Sequence, residues 1–172
     1  DLMVIGQYSG SNSLLGQIDD LGIWDRALTI EEINELHIGE FQTDCIPDGP
    51  VAFYPFNGDA NDISGFEHNG SPSDQVYFYE DRFGNPNSSV YLNSDGSYIN
   101  VPFGYQFGSE ISISFWMKYE DWGPNNSTAI LHRRIGNNID FDISISPGSS
   151  ERNIAFHICL LYTSDAADDV AS

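Results

Sequence analysis

Positive charge is scarce in this sequence: six Lys and Arg stand against 26 Asp and Glu, a formal net charge of −20. Surfaces that hold phosphate backbones or anionic membranes need clustered Lys and Arg, and the only adjacent pair is Arg133–Arg134. Nucleic acid is therefore not an expected partner. Long apolar runs are missing as well. None approaches the roughly 20 residues that cross a bilayer as a helix, so no membrane insertion is expected. Cysteine is nearly absent, and Cys45 and Cys159 could pair only across a very long loop. An initiator Met and the basic-then-apolar pattern of an export signal are both lacking, which reads as a piece of a longer chain.

The composition that remains is that of a folded, turn-rich protein. Aromatic residues at 13% and hydrophobic residues at 40% suffice for a packed core, and 16 Gly with 8 Pro imply many turns. Period-2 alternation dominates. In "EISISFWMK", Ile111, Ile113, Phe115 and Met117 share one face against Ser112, Ser114, Trp116 and Lys118. "NIDFDISIS" sets Ile139, Phe141, Ile143 and Ile145 against Asp140, Asp142, Ser144 and Ser146, and "RNIAFHI" repeats the pattern. Such strands have one dry and one wet face, as in antiparallel sandwiches. Turn clusters such as "NGDANDISG", "RFGNPNSS" and "NSDGS" separate them. The expected fold is all-β, an antiparallel β-sandwich of the jelly-roll kind.

One helix is expected, from about Ile30 to His37. Thr29 and Glu32 form a T-x-x-E capping box, and Ile30, Ile33 and Leu36 give it an apolar stripe. "GEFQTDCIPDGP" then has the look of a linker. The last fourteen residues, "CLLYTSDAADDVAS", abandon both alternation and turn logic. They resemble the translation of a sequencing-library adapter and are set aside as a non-native read-through tail. Strong acidity survives without them.

Two stretches carry a family resemblance. "GQIDDLGIWDRALTIEEINELH" resembles the C-terminal signature of laminin-G-like domains of the concanavalin A-like lectin-glucanase jelly-roll superfamily. "GPVAFYPFNGDANDISGFEHNGS", with the segments that follow as far as "EISISFWMK", resembles the N-terminal part of the same domain. The end thus precedes the beginning. The expected organisation is residues 1–40 as the close of one module and 41–49 as a linker. Residues 50–158 then form the truncated start of a second module, with the tail at 159–172. The strand Asp19 to Asp25 is expected to fill an edge of that second module.

The resemblance also implies sites. Similar jelly rolls hold a structural calcium in the loop that corresponds to "NGDANDISG", so Asp59, Asp62 and Asn69, with Asp20 from the closing strand, are candidate Ca²⁺ ligands; Asn57, Asn61 and Asp19 lie alongside. Calcium takes roughly six to eight oxygens, and this loop offers them. The plainer alternative is a turn whose Asx side chains bind their own backbone. Trp122 and Trp116 are candidate ligand-binding residues, because an outward tryptophan stacks on the C–H face of a sugar ring; packing under the helix or a loop is the competing role for Trp116 and Trp24. Relatives that cleave glucans place paired carboxylates on one strand, about 5 Å apart. The nearest string here, "NIDFD", has Asn138 at the nucleophile position, so Asp140 and Asp142 read as the wet side of a strand and no enzyme is expected. His37, His68, His132 and His157 are scattered, which argues against zinc.

The function expected from these features is a non-catalytic binding or adhesion module of a secreted or cell-surface multidomain protein. Its partner is a glycan or an extracellular protein, and neighbouring domains of the same chain are expected. A spacer repeat of an adhesin and an accessory module of a polysaccharide-degrading enzyme are the rival readings.

Overall fold

The computed structural model describes residues 1–8, 11–39, 48–93, 96–120, 128–136, 138–147 and 152–158. Cys45, Cys159, Trp122 and the tail lie outside them. Among the described residues, thirteen strands and one helix follow in chain order. They are β1 (Leu2–Ile5), β2 (Gln7–Tyr8), β3 (Ser11–Ser13), β4 (Gly16–Trp24), α1 (Ile30–Ile38), β5 (Ala52–Tyr54), β6 (Ser71–Pro72) and β7 (Val76–Tyr79). Then come β8 (Ser89–Leu92), β9 (Ile99–Pro102), β10 (Ser112–Tyr119), β11 (Thr128–Ile135), β12 (Asn138–Pro147) and β13 (Arg152–Ile158).

Two antiparallel sheets form a sandwich. One has six strands in the order β13-β12-β11-β1-β9-β6; the other has five, β10-β4-β8-β7 with β5 also on β4. The small β2–β3 hairpin pairs with itself. Alternating residues of both sheets meet in one core, to which β4 gives Ile18, Leu21 and Ile23, β1 gives Met3 and Ile5, and β12 gives Phe141, Ile143 and Ile145.

Residues 1–24 are central to this arrangement. β1 lies between β9 and β11, and β4 pairs with β10 along one side and with β5 and β8 along the other. The strand expected to fill an edge is therefore an interior strand. The physical reason is its composition: nine residues with apolar groups on the core side suit a place with partners on both flanks.

The helix has the expected cap. Thr29 accepts from the Glu32 amide while the Glu32 carboxylate accepts from the Thr29 amide, and Gly39 closes the helix at φ 77°, a left-handed conformation that suits glycine. Its apolar stripe is only partly used. Leu36 is buried on Trp24 and Phe53, with Leu28 beside them, whereas Ile30 and Ile33 stay 63% and 48% exposed. Trp24 is completely buried and thus serves as packing under the helix. Its indole lies over Gly22, where a Cβ would come within 2.3 Å of the ring.

Candidate functional site

A β-bulge in β4 sets up the site. Opposite β10, Ser114 faces Gly22 and Trp116 faces Asp19, so β4 carries one residue more than its partner over this interval. The extra residue is Asp20, at φ 48°, a region that Asp tolerates better than most residues. Ile18 and Leu21 consequently both enter the core, while Asp19 and Asp20 both reach the outer face. Their carboxylates converge on one atom, Arg82 Nη1, at 2.7 and 2.8 Å.

Arg82 comes from the turn after β7. Asp81 builds that turn by accepting from the amides of Phe83 and Asn85 and from the Asn85 side chain, all at 2.8 Å. The Arg82 guanidinium lies 4.4 Å from the Phe83 ring centre and 4.5 Å from that of Trp116. His37 of the helix approaches Trp116 at 5.3 Å. Burial pushes the Asp19 carboxyl up to about 7, reinforced by Asp20 and Asp81 and opposed by Arg82. Asp81 is also burdened by burial, but its hydrogen bonds from Asn85 and Phe83 prevail and hold it below the ordinary value.

Cross-strand register arranges the rest of the outer face in rows. Lys118, Gln17, Tyr91 and Tyr77 form one row across β10, β4, β8 and β7; Trp116 and Asp19 begin the next, which ends in Ser89 and Tyr79. The Tyr79 and Tyr91 rings stand 4.9 Å apart, and the Tyr91 hydroxyl donates to Glu120 at 2.8 Å. Tyr77 and Tyr79 are 48% and 50% exposed. Gln17, Asp19, Tyr79, Glu80, Trp116 and Lys118 line a groove of about 470 Å³ on this face. A second groove, of about 530 Å³, runs between α1 and β10, with Trp116 as the wall between the two.

Comparison with family models, curated proteins and solved structures finds no match to this chain. The site therefore rests on its own geometry.

The candidate calcium residues are divided between two places. Asp62, with a side chain fully buried, accepts from the amides of Phe53, Ser64 and His68 at 2.9, 2.9 and 3.0 Å. Asn69 accepts from the Asp62 amide, and Asp59 from the backbone and side chain of Asn61. These oxygens pin the loop to β5 through its own backbone, as Asx turns do. Asp20 is held apart by Arg82. Among the described residues, no three of His, Cys, Asp and Glu are grouped to hold a metal ion.

The other sheet also departs from the sequence reading. Asp142, expected on a wet face, is buried: it lies 3.3 Å from His132 and 3.7 Å from His157. Burial raises its pKa, but hydrogen bonds from His132 and Ser144 win and hold it low. Asp140 is displaced by a second bulge and pairs at 2.5 Å with Arg133, which is wholly buried. The Arg133 guanidinium sits 4.9 and 5.1 Å from the rings of Phe103 and Phe107 and donates to the Tyr105 carbonyl. Burial pulls its pKa down despite Asp140. Both clusters are cross-strand devices that hold β11 to β12.

Trp116 is placed in the groove, but Arg82 covers its ring. Sequence reasoning missed the tyrosines instead. Their signal was present in "VYFYE", where Tyr77 and Tyr79 alternate with the half-buried Val76 and Phe78.

Proposed function

We propose that this chain is a non-catalytic glycan-binding module that reads its ligand on the outer face of the five-stranded sheet. The module is of the laminin-G-like, concanavalin A-like jelly-roll type and belongs to a secreted or cell-surface protein. One observation carries the reading: Tyr79 is half-exposed beside Tyr91, in the wall of a groove furnished with Gln17, Asp19, Glu80 and Lys118. Exposed aromatic faces offer apolar area for sugar rings, and nearby amide, carboxylate and ammonium groups fix hydroxyls in orientation. Trp116 contributes as a buttress through Arg82 and not as a free platform.

Because Arg82 is already shared by two carboxylates, the groove has surplus negative charge, and neutral glycans fit it better than sulfated or uronic ones. A glycan array, followed by calorimetric titration of the best neutral oligosaccharide, tests the proposal. Binding is expected to fall at least about tenfold in Tyr79→Ala, a loss of about 1.4 kcal/mol. Silence across all glycans from a correctly folded chain would instead make it a spacer repeat.

A further inference from the structure

The apolar stripe of α1 is only partly absorbed by the core, and the remainder walls the groove between α1 and β10. Leu36 is buried on Trp24 and Phe53, whereas Ile33 is 48% exposed and lines this space of about 530 Å³. Leu28, Leu36 and His37 complete the wall, and Ser112, Ser114 and Trp116 of β10 lie along the floor. No Asp, Glu, Lys or Arg is among the described residues that line it. The wall is held in place from two sides. Ser112 Oγ accepts from the Leu28 amide at 3.2 Å and donates to the Arg26 carbonyl at 2.8 Å. The Arg26 guanidinium in turn holds the Glu32 carboxylate of α1 through two hydrogen bonds, at 2.8 and 2.5 Å. A groove fixed in this way binds without the cost of ordering its own walls.

Three observations choose the occupant. The volume is that of a small-ligand site, for which about 300–1,000 Å³ is usual, and not that of a flat protein interface. The lining mixes aliphatic side chains with a hydroxyl and an imidazole, polar groups that an apolar partner surface would bury without hydrogen bonds. The groove also continues the tyrosine groove: the outer face of β10 runs from Ser112 and Ser114 past Trp116 to Lys118, about 20 Å at the rise of a strand. We propose, resting on the glycan reading above, that this groove is the subsite for an N-acetylated sugar of a neutral glycan that crosses from Tyr79 past Trp116. The acetyl methyl packs on Leu28 and Ile33. The amide N–H donates to the Ser114 hydroxyl, and the amide carbonyl accepts from the His37 imidazole. A sugar with a plain hydroxyl in place of the acetamido group leaves the aliphatic wall in water, and a uronic acid finds no Lys or Arg there.

Backbone NMR of the full isotope-labelled chain tests this, with N-acetylglucosamine against glucose and N-acetylgalactosamine against galactose at millimolar concentrations. The members of each pair differ only in the acetamido group. The amides of Ile33, His37 and Ser114 are expected to shift with at least one acetylated sugar, which binds at least about fourfold more tightly than its parent, the factor gained by burying one methyl group. Ile33→Gln replaces a half-exposed residue with another good helix former and is expected to abolish that preference. Equal responses to both members of each pair, or a preference unchanged in Ile33→Gln, overturn the inference. Silence of these three amides with all four sugars also overturns it, and overturns it alone if the best neutral oligosaccharide from the array still shifts Tyr79. Silence of Tyr79 as well removes the glycan reading on which it rests.

Discussion

Replacing Asp19 with Asn should make stability respond to pH in a way that can be worked out beforehand. Asp19 is 6% exposed, and burial with Asp20 and Asp81 nearby raises its carboxyl pKa from 3.8 to about 7. In the unfolded chain it ionises near the ordinary value, so above that pH the unfolded state gains more from losing the proton. A raised carboxyl pKa therefore means stability that is full at low pH and declines as pH rises to about 7. Between pH 5.5 and 8 the linkage integral for a 3.8 to about 7 shift amounts to about 2 kcal/mol of lost stability. For a chain of this size that corresponds to about 4–8 °C in Tm. Asp19→Asn keeps the shape and can still accept from Arg82 but does not titrate. The assay is differential scanning calorimetry of both proteins at several pH values, where titrations remote from this cluster cancel in the difference. Asp19→Asn is expected to gain on the wild type by about 2 kcal/mol over this range. A difference constant with pH would refute the argument, and one of opposite sign would mean that Arg82 dominates the environment of Asp19.

Three other perturbations follow from the packing. Asp62→Ala leaves the amides of Phe53, Ser64 and His68 without their acceptor and should cost about 3 kcal/mol in urea denaturation, with no recovery on adding Ca²⁺. Asp140→Ala strands the wholly buried Arg133 and should cost about 3–5 kcal/mol, whereas Arg133→Met together with Asp140→Ala should recover much of that loss in the same assay. Trp24→Ala empties the space between Leu36 and Phe53 and should cost about 3–5 kcal/mol, with loss of the α1 signal in circular dichroism.

What the sequence disclosed and what it concealed divide along a physical line. Alternation within one strand was legible: "RNIAFHI" coincides with β13, and β10 and β12 fall where "EISISFWMK" and "NIDFDISIS" place them. The helix was legible for the same local reason, since its capping box is contained in four residues. Features that depend on how strands meet were not. The bulge that turns Asp19 and Asp20 to one face exists only relative to β10, and no period within β4 announces it. Asp142 read as wet because it alternates with Phe141 and Ile143, yet His132 and His157 reach it from the strands on either side. Arg82 is 62 and 63 residues from the two acids it bridges, a separation invisible to any local pattern. The tyrosine face was half legible. Alternation put Tyr77 and Tyr79 outward, but only the pairing of β7 with β8 sets Tyr91 beside them.

On the function proposed above, a glycan binds at the outer face of the five-stranded sheet. Backbone NMR shift mapping during titration with the best neutral oligosaccharide tests it most directly. The amides of Gln17, Tyr77, Tyr79, Tyr91 and Lys118 are expected to move together and saturate with one affinity. Saturable shifts confined to the six-stranded sheet or to the loop around Asp62 would contradict it.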